Sequence, residues 1–302
     1  MEKLSRENVI YNFENGMRES YRVKENEIFT VETCDCFHQQ ITSEEQVLLE
    51  IDMDIVNPAT GPIYVEGAKK GDILKVEILD IKVADKGVSA AIPGSGGLPE
   101  ESRDAIVKVI EIKNSKANYL GKEIPIVPMI GVIGVAPSEE SGVWGSHTPY
   151  RHGGNMDTKT ITKGTTLYFD VAQEGAMLSL GDLHAVMGDG ELCFTGLEIP
   201  GEVELKVSVI KSSRELGWPV LESKDKISII ASGETLEDAM KEAASAGVKF
   251  ISEALNVTWA EAYVMASLAL DLKISQVVNP MKTIRAEIPK YILSMEKLLE
   301  DK

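Results

Sequence analysis

The segment from residue 181 to residue 198, GDLHAVMGDGELCFTGLE, holds the densest group of side chains that could do chemistry. It contains His184, one of four histidines in the chain, together with the acidic residues Asp182, Asp189, Glu191 and Glu198. Imidazole and carboxylate groups close together are the ligands of metal sites that keep a bound water. We therefore predict a site role for His184, whereas Asp182 taken alone is more typical of a turn.

Alternation along a predicted strand over residues 191–198 separates the two glutamates of this segment. Glu191 shares one face with Cys193, and Glu198 lies on the opposite face among apolar neighbours. A carboxylate on an apolar face is unfavourable unless it is paired, protonated or bound to a metal. Both glutamates are therefore candidates for acid–base chemistry.

A second polar segment, HGGNMDTK, covers residues 152–159. Gly153 and Gly154 permit a ligand to approach the backbone closely, and the Asn155 amide offers both a donor and an acceptor. Asp157 is a candidate ligand or base. Taken alone, however, the same residue types are typical of an ordinary loop.

A third segment, ETCDCFHQQI at residues 32–41, follows a predicted strand. Cys34 and Cys36 are separated by one residue, which is not the spacing of a zinc knuckle. Unpaired cysteines are commonly buried, so we interpret both as core residues. Asp35 faces the opposite way and is the better ligand candidate, while His38 is equally compatible with a loop.

Composition and missing motifs exclude several classes of function. The 302 residues include 31 Lys and Arg against 48 Asp and Glu, a net charge of −17, which disfavours nucleic acids and anionic membranes as partners. The sequence has no phosphate-binding loop, dinucleotide fingerprint or nucleophile elbow. Three cysteines, no apolar signal region and no apolar run of about 18 residues predict a cytoplasmic protein.

Hydrophobic patterning predicts a mainly β chain with two parts. Residues 1–230 have the short apolar runs that are typical of strands, and they contain a Gly-rich surface loop at 87–99. We predict that they form a β-rich catalytic body with the fold of a sandwich or a barrel. Residues 231–302 form an α+β part that packs on this body. Its first helix begins after Thr235, and Thr258 and Glu261 make a capping box for a second helix. The second helix is apolar on most faces, so we expect it to be buried.

The three polar segments together resemble the acetamidase/formamidase family. The matching residues keep their order through most of the chain, and the block from residue 152 to 191 has no gap. They are Glu32-x-x-Asp35 with Gln40-Ile41, GPIYVEGAKKGDIL at 61–74, HGGNMDTK at 152–159, EGAMLSLGDLHAVMGDGE at 174–191 and IPK at 288–290. Met187 stands where many members have Gln, and the stretch 36–39 varies in the family, so His38 is not carried over.

This resemblance implies hydrolysis of a short aliphatic amide, such as formamide or acetamide, to the carboxylic acid and ammonia. It also implies a CUB-like or jelly-roll sandwich with β-barrel elements, followed by an α+β part. Members of the family carry divalent metal, so we expect a metal cofactor, with zinc favoured over calcium. Because symmetric dimers are common, a homodimer is the default expectation.

A metal-activated water would solve the chemical difficulty that an amide is a poor electrophile. Our hypothesis assigns the metal to His184 with Asp35, and also to His152 and Asp157. The Asn155 side chain and the backbone of Gly153 and Gly154 would bind the carbonyl oxygen. Proton transfer is assigned to Glu191, with Glu198 as the second choice.

Two alternatives belong to other classes of mechanism. One is an amidase that uses Cys193 as its nucleophile, beside Glu191. The other is a β-sandwich that binds a metal or a small ligand without catalysis. Loss of activity on chelation would distinguish the metal-dependent hydrolase from both.

Overall fold

The computed structural model describes residues 3–46, 50–212 and 214–300. Three α-helices lie in the C-terminal part: α1 (Leu236–Leu255), α2 (Trp259–Ala269) and α3 (Met295–Leu299). Short 3-10 turns occur at Met53–Ile55 and Glu139–Ser141. The strands, in chain order, are β1 (Lys3–Leu4), β2 (Val9–Ile10), β3 (Asn12–Phe13), β4 (Tyr21–Val23), β5 (Ile28–Thr33), β6 (Ala59–Val65), β7 (Ile73–Val83), β8 (Lys86–Ala91), β9 (Ile106–Lys113), β10 (Lys116–Tyr119), β11 (Lys122–Pro125), β12 (Met129–Gly134), β13 (Trp144–Gly145), β14 (Gly153–Asn155), β15 (Thr166–Asp170), β16 (Leu178–His184), β17 (Gly201–Ile210), β18 (Val220–Glu222), β19 (Lys226–Gly233), β20 (Asp271–Gln276) and β21 (Lys282–Pro289).

Two large sheets share the main apolar core. The nine-stranded sheet has the order β1-β5-β17-β7-β15-β18-β19-β21-β20, and the six-stranded sheet has the order β14-β12-β16-β6-β2, with β4 beside β6. Val76 and Phe169 of the first sheet lie in one buried cluster with Ile133 and Leu180 of the second. Alternating side chains from each sheet fill the space between them, which is the packing of a β-sandwich. The prediction of a mainly β chain with an α+β C-terminal part is confirmed.

A smaller sheet of four antiparallel strands, β8 to β11, covers the segment around residue 198. Val88 of β8 forms a bridge with Glu198, which links this sheet to the polar segment. The prediction of a loop over residues 87–99 is wrong at its start, because Gly87–Ala91 belong to β8 and pair with β9. The side chains of Val88 and Ala90 are buried, and their alternation is the strand signal that the Gly-rich composition obscured.

The C-terminal part builds a second apolar core on the same sheet. Helix α1 packs on β19 and β21 and begins at the predicted cap Thr235. Helix α2 begins at Thr258, whose side chain completes the predicted capping box with Glu261. The prediction that α2 is buried is wrong: Ala262 and Ala266 are its buried residues, while Trp259, Tyr263, Val264 and Leu268 are more than half exposed.

The nine-stranded sheet continues through both parts of the chain. Strand β19 (Lys226–Gly233) crosses residue 230, the predicted boundary, and pairs with β18 on one side and β21 on the other. The two apolar cores lie on opposite faces of this sheet where they share strands, since Phe169 belongs to the first core and its neighbour Tyr168 to the second. Among the described helices, none is long and apolar enough to cross a membrane.

Because the two cores share a sheet, we expect them to unfold together. Phe169 lies in the first core and Phe250 in the second, and both are fully buried. Replacement of either by alanine should lower the free energy of unfolding by about 3–5 kcal/mol in a single transition. Thermal denaturation followed by calorimetry measures this, with Tyr291→Ala, at an exposed position, as control. A separate early transition in Phe250→Ala would instead support independent domains.

Candidate functional site

Four carboxylates surround one imidazole nitrogen in the interior of the protein. His184 Nε2 lies 3.2 Å from Glu198 Oε2, 3.4 Å from Asp182 Oδ1, 3.7 Å from Glu191 Oε1 and 3.8 Å from Asp157 Oδ1. All five side chains are buried. We call these five residues the carboxylate cluster.

The β-strands bring residues from distant parts of the chain to this cluster. Asp182 and His184 are two residues apart on β16, so the alternation of a strand directs both to one face. Glu198 reaches the same place because it forms a bridge with His184. Asp157 follows β14, which pairs with β12 beside β16. Glu191 follows the turn at residues 188–190, not a strand as predicted.

Three members of the cluster have a backbone conformation that residues other than glycine rarely adopt. The φ angles are 37° at Asp157, 53° at Asp182 and 50° at Glu191. Such residues concentrate at functional sites, where the surrounding structure maintains a strained geometry. Here Asp157 and Glu191 have this conformation outside the strands, and Asp182 has it within β16.

Two glycines make room for the cluster. A Cβ atom at Gly131 would lie 2.6 Å from both Asp157 Oδ1 and Asp182 Oδ2, and one at Gly196 would lie 2.6 Å from His184 Nδ1. Any side chain at either position would displace the groups that it met. Both glycines are therefore required by the close packing of the cluster.

Burial and mutual repulsion shift the pKa values of the clustered groups. Burial, with the nearby charge of Glu198, raises the pKa of Asp182 to about 7. Burial and the charge of Asp182 raise the pKa of Asp157 to about 6, and burial with the charge of Asp157 raises that of Glu191 well above its usual value. Burial alone would lower the pKa of His184, but the carboxylates of Glu198 and Asp182 raise it.

Several buried polar atoms of the cluster have no hydrogen-bond partner among the described residues. They are Asp157 Oδ1, Asp182 Oδ1, His184 Nδ1, Glu191 Oε2 and Glu198 Oε2. Unsatisfied buried acceptors are unfavourable, and a cation or bound water removes the penalty. Ligand atoms within 4.8 Å of one another form two groups, one of Asp157, His184 and Glu191 and one of Cys36, Asp182 and Glu198. The donor atoms of the cluster thus suit a divalent cation.

A cavity of about 400 Å³ opens onto the carboxylate cluster. This volume lies in the usual range of small-molecule sites. Its apolar wall includes Phe37, Met53, Val56 and Phe194, and its polar lining outside the cluster includes Asn155, Asn279 and Lys282. The arrangement places buried acid–base groups at the end of a partly apolar pocket.

Cys36, Asn279 and Lys282 are not predicted as site residues from the sequence, which instead indicates a core position for Cys36. Asn279 Nδ2 donates to Asp157 Oδ2 at 2.6 Å and to the Asn155 carbonyl at 2.9 Å, so it fixes two site residues. Burial lowers the pKa of Lys282. The Asn279-Pro280 pair is an ordinary turn signal, and nothing in the local sequence indicates its contact with residue 157.

A buried arginine fixes the turn that carries Glu191. The Arg285 guanidinium donates two hydrogen bonds to Asp189, at 2.8 and 3.0 Å, and one to Glu287 at 3.1 Å. Paired donors and acceptors of this kind have a specific geometry as well as strength. Asp189 therefore connects the turn to strand β21, outside the carboxylate cluster.

Two of the predicted metal ligands, Asp35 and His152, belong to neither of the two groups of possible ligand atoms. Asp35 accepts a hydrogen bond from the Gln39 backbone at 2.7 Å, and burial raises the pKa of its carboxyl to about 6. His152 packs against Phe13 and Trp144, with ring centroids 5.0 and 5.9 Å away. Burial lowers the pKa of His152 to about 3, so its ring is neutral.

Of the predicted substrate-binding residues, Asn155 lines the cavity, whereas Gly153 and Gly154 pack against neighbouring backbone. The Asn155 Oδ1 atom has no hydrogen-bond partner among the described residues. A Cβ atom at Gly153 would meet the carbonyl of Ile133, and one at Gly154 would meet the carbonyl of Thr148. These glycines therefore allow close packing of neighbouring backbone.

Cys193, Met187 and His38 do not line the cavity that opens onto the carboxylate cluster. Cys193 is exposed, and its sulfur donates to the Thr195 carbonyl at 3.5 Å. Cys193 and Met187 both line a neighbouring cavity under the small sheet. His38 Nδ1 lies 2.9 Å from the Tyr11 hydroxyl, at hydrogen-bond distance.

Comparison with known proteins identifies the family. The family model described as the Acetamidase/Formamidase family matches residues 5–142 and 145–295. The chain belongs to the acetamidase/formamidase family. These matched ranges include every residue of the carboxylate cluster, as well as Asn155, Asn279 and Lys282, so the resemblance in sequence is confirmed across the site.

Solved structures of this family share the whole fold. An acetamidase from Bacillus halodurans is 43% identical, with a TM-score of 0.93 over 98% of this chain and 99% of that one. A predicted acetamidase/formamidase from Thermoanaerobacter tengcongensis is also 43% identical, with a TM-score of 0.93 over 96% of each chain. A formamidase from Methylophilus methylotrophus is 29% identical over 63% of this chain, a match that spans 61% of its own length.

The space at Gly131 provides a test of how closely the cluster is packed. Gly131→Ala should lower the free energy of unfolding by about 1–3 kcal/mol, because the added methyl group overlaps two carboxylates. Gly188→Ala, where a Cβ atom meets nothing within 4 Å, should change it by less than about 0.5 kcal/mol. Urea denaturation of both variants makes the comparison. Equal stability of the two would contradict the close approach of the carboxylates to residue 131.

Proposed function

We propose that this protein hydrolyses the C–N bond of a short aliphatic amide, such as formamide or acetamide, to a carboxylic acid and ammonia. The observation that carries the proposal is the carboxylate cluster around His184, which faces a cavity suited to a small molecule. The names of the related acetamidase and formamidase agree with it. Hydrolysis needs acid–base groups held close together and away from bulk water, and the cluster offers them.

We propose further that the cluster holds a divalent cation, with zinc favoured over calcium. Asp157, Asp182 and His184 would hold it, since two unpartnered carboxylate oxygens lie near the His184 Nε2 atom. Zinc accepts this mixture of nitrogen and oxygen ligands, whereas calcium favours oxygen alone. A bound divalent cation supplies Lewis acidity, which polarises a carbonyl group and lowers the pKa of a water molecule.

In this proposal Glu191 moves the proton. Its Oε2 atom has no partner among the described residues, and the side chain lines the cavity. Burial and neighbouring Asp157 raise its pKa, which favours a group that takes a proton from water and gives it to the departing nitrogen. Glu198 is less suited, because its Oε1 atom already accepts a hydrogen bond from the Gly196 backbone at 2.8 Å.

Asn155 and Asn279 would position the amide and the cluster. The Asn155 side chain lines the cavity and can donate to a carbonyl oxygen, where developing negative charge strengthens the bond. Asn279 holds Asp157 and the Asn155 backbone in place through its two hydrogen bonds. The apolar wall, which includes Phe37 and Phe194, would exclude water beyond the reacting group.

The two alternatives have less support from the geometry. Cys193 is exposed, and it lines the neighbouring cavity with Glu191 but does not line the cavity that opens onto the cluster. A binding protein without catalysis would not need a further unpartnered carboxylate, that of Glu191, in the cavity beside the ligand groups. The proposal also includes a small amide as partner and a cytoplasmic location. The location agrees with the three free thiols, because reducing compartments keep cysteines unpaired.

Removal of the proton carrier tests the role of Glu191. Glu191→Gln keeps the shape of the side chain, so we expect kcat for ammonia release from acetamide to fall by about 10²–10⁴-fold. Bound metal and stability should stay near wild type. Glu123→Gln, an exposed substitution of the same type on β11, is the control. An unchanged kcat in Glu191→Gln would reject this assignment.

Chelation tests the cation. Ammonia release from formamide and acetamide should be lost after exhaustive chelation and return when zinc is added. Protons compete for Asp182 and Asp157, whose pKa values are raised to about 7 and 6, so zinc should bind more weakly as pH falls from 8 to 5. Elemental analysis after dialysis at each pH measures this. Full activity without metal would reject the cation, while metal binding with no ammonia release would favour the non-catalytic alternative.

A further inference from the structure

The edge of the nine-stranded sheet is exposed at β20, the terminal strand of its order. Among the described strands, β21 is its one ladder partner. Gly190 covers the far end of β20, where its N–H donates to the Ser275 carbonyl and its carbonyl accepts from Val277. Residues 271–274 therefore present an open edge, and open strand edges are templates for pairing with another chain.

The sequence across this open edge is self-complementary. Residues 270–274 read Leu-Asp-Leu-Lys-Ile. If a second copy paired antiparallel about Leu272, Asp271 would lie opposite the partner's Lys273, and Leu270 opposite the partner's Ile274. Opposite charges and apolar side chains stabilise such cross-strand pairs. Asp271 also lies 3.4 Å from Lys226, while Lys273 makes no ion pair with any described residue.

An exposed apolar surface lies beside the same edge. Leu270 alone separates α2 from β20. The side chains of α2 that face away from the protein include Tyr263 (56% exposed), Val264 (61%) and Leu268 (79%). The ring of Trp259, which is 58% exposed, stacks on Tyr263 with the centroids 4.7 Å apart. Large apolar and aromatic side chains grouped on a surface mark an interaction site.

The strand contributes to this surface on the same side of the sheet. In the ladder with β21, Leu272 lies opposite Ala286 and Ile274 opposite Ile284. Ala286 and Ile284 belong to the core beneath the helices. Leu272 and Ile274 therefore point to the helix side, although both are about 40% exposed. Edge and helix, joined by Leu270, therefore both present exposed apolar side chains.

We propose that this surface binds a second copy of the chain, through antiparallel pairing of the two β20 strands and packing of the two α2 helices. A two-fold axis at Leu272 makes every contact occur twice. A stable interface buries about 800 Å² per partner, more than five strand residues supply, so the helix surface is needed as well. The proposal is independent of amide hydrolysis.

Charge substitutions on β20 test the register. The full-length protein should have twice the 33.0 kDa mass of one chain in sedimentation equilibrium. Lys273→Asp and Asp271→Lys should each weaken dimerisation by about tenfold or more, because like charges then face each other twice. The double variant D271K/K273D should dimerise like wild type. A mixture of the two single variants should form heterodimers, since their charges are complementary, which also shows that both are folded.

Control variants separate this interface from other surfaces. Lys122→Asp places the same change on β11, the terminal strand of the small sheet, and should leave the dimer intact. Val264→Arg with Leu268→Arg should produce monomers, whereas Leu120→Arg, at an exposed turn, should not. A wild-type monomer at all concentrations would overturn the proposal and leave the surface to a different partner. So would a dimer that none of the β20 or α2 substitutions weakens.

Discussion

The burial of four carboxylates around one imidazole is the constraint on which the rest of the site depends. Negative charges that lie within 4 Å of His184 Nε2 repel each other, and burial removes the water that would screen them. The assembly persists only with protons or a cation to neutralise it. Burial and the same repulsion raise the pKa values of Asp157 and Asp182 to about 6 and 7, close to neutral pH.

Rigid packing around the cluster maintains this unfavourable arrangement. Gly131 and Gly196 leave space that any side chain would fill, and Asn279 holds one carboxylate from the other side. Arg285 fixes the turn before Glu191 through its paired hydrogen bonds to Asp189. Since these supports come from both the β-rich body and the C-terminal strands, the site depends on contacts between the two parts of the chain.

The segment from α2 through β20 to the loop at Asn279 runs from the exposed sheet edge to the cavity of the site. Strand β20 presents an open edge at residues 271–274, and its far end pairs with Gly190, next to Glu191. The loop after β20 then lines the cavity with Asn279 and Lys282. Strand β20 thus connects the open edge at one end with two segments of the site at the other.

The sequence by itself determined the features that depend on near neighbours. The caps at Thr235 and Thr258 begin the helices, and the motifs from residue 32 to 198 identify the family. Only the tertiary structure decided which distant residues meet. It placed Cys36 rather than Asp35 beside Glu198, brought Asn279 to Asp157 and left α2 exposed. Spacing along the chain cannot specify these contacts, because strand pairing, positive φ angles and the packing of sheets set them in three dimensions.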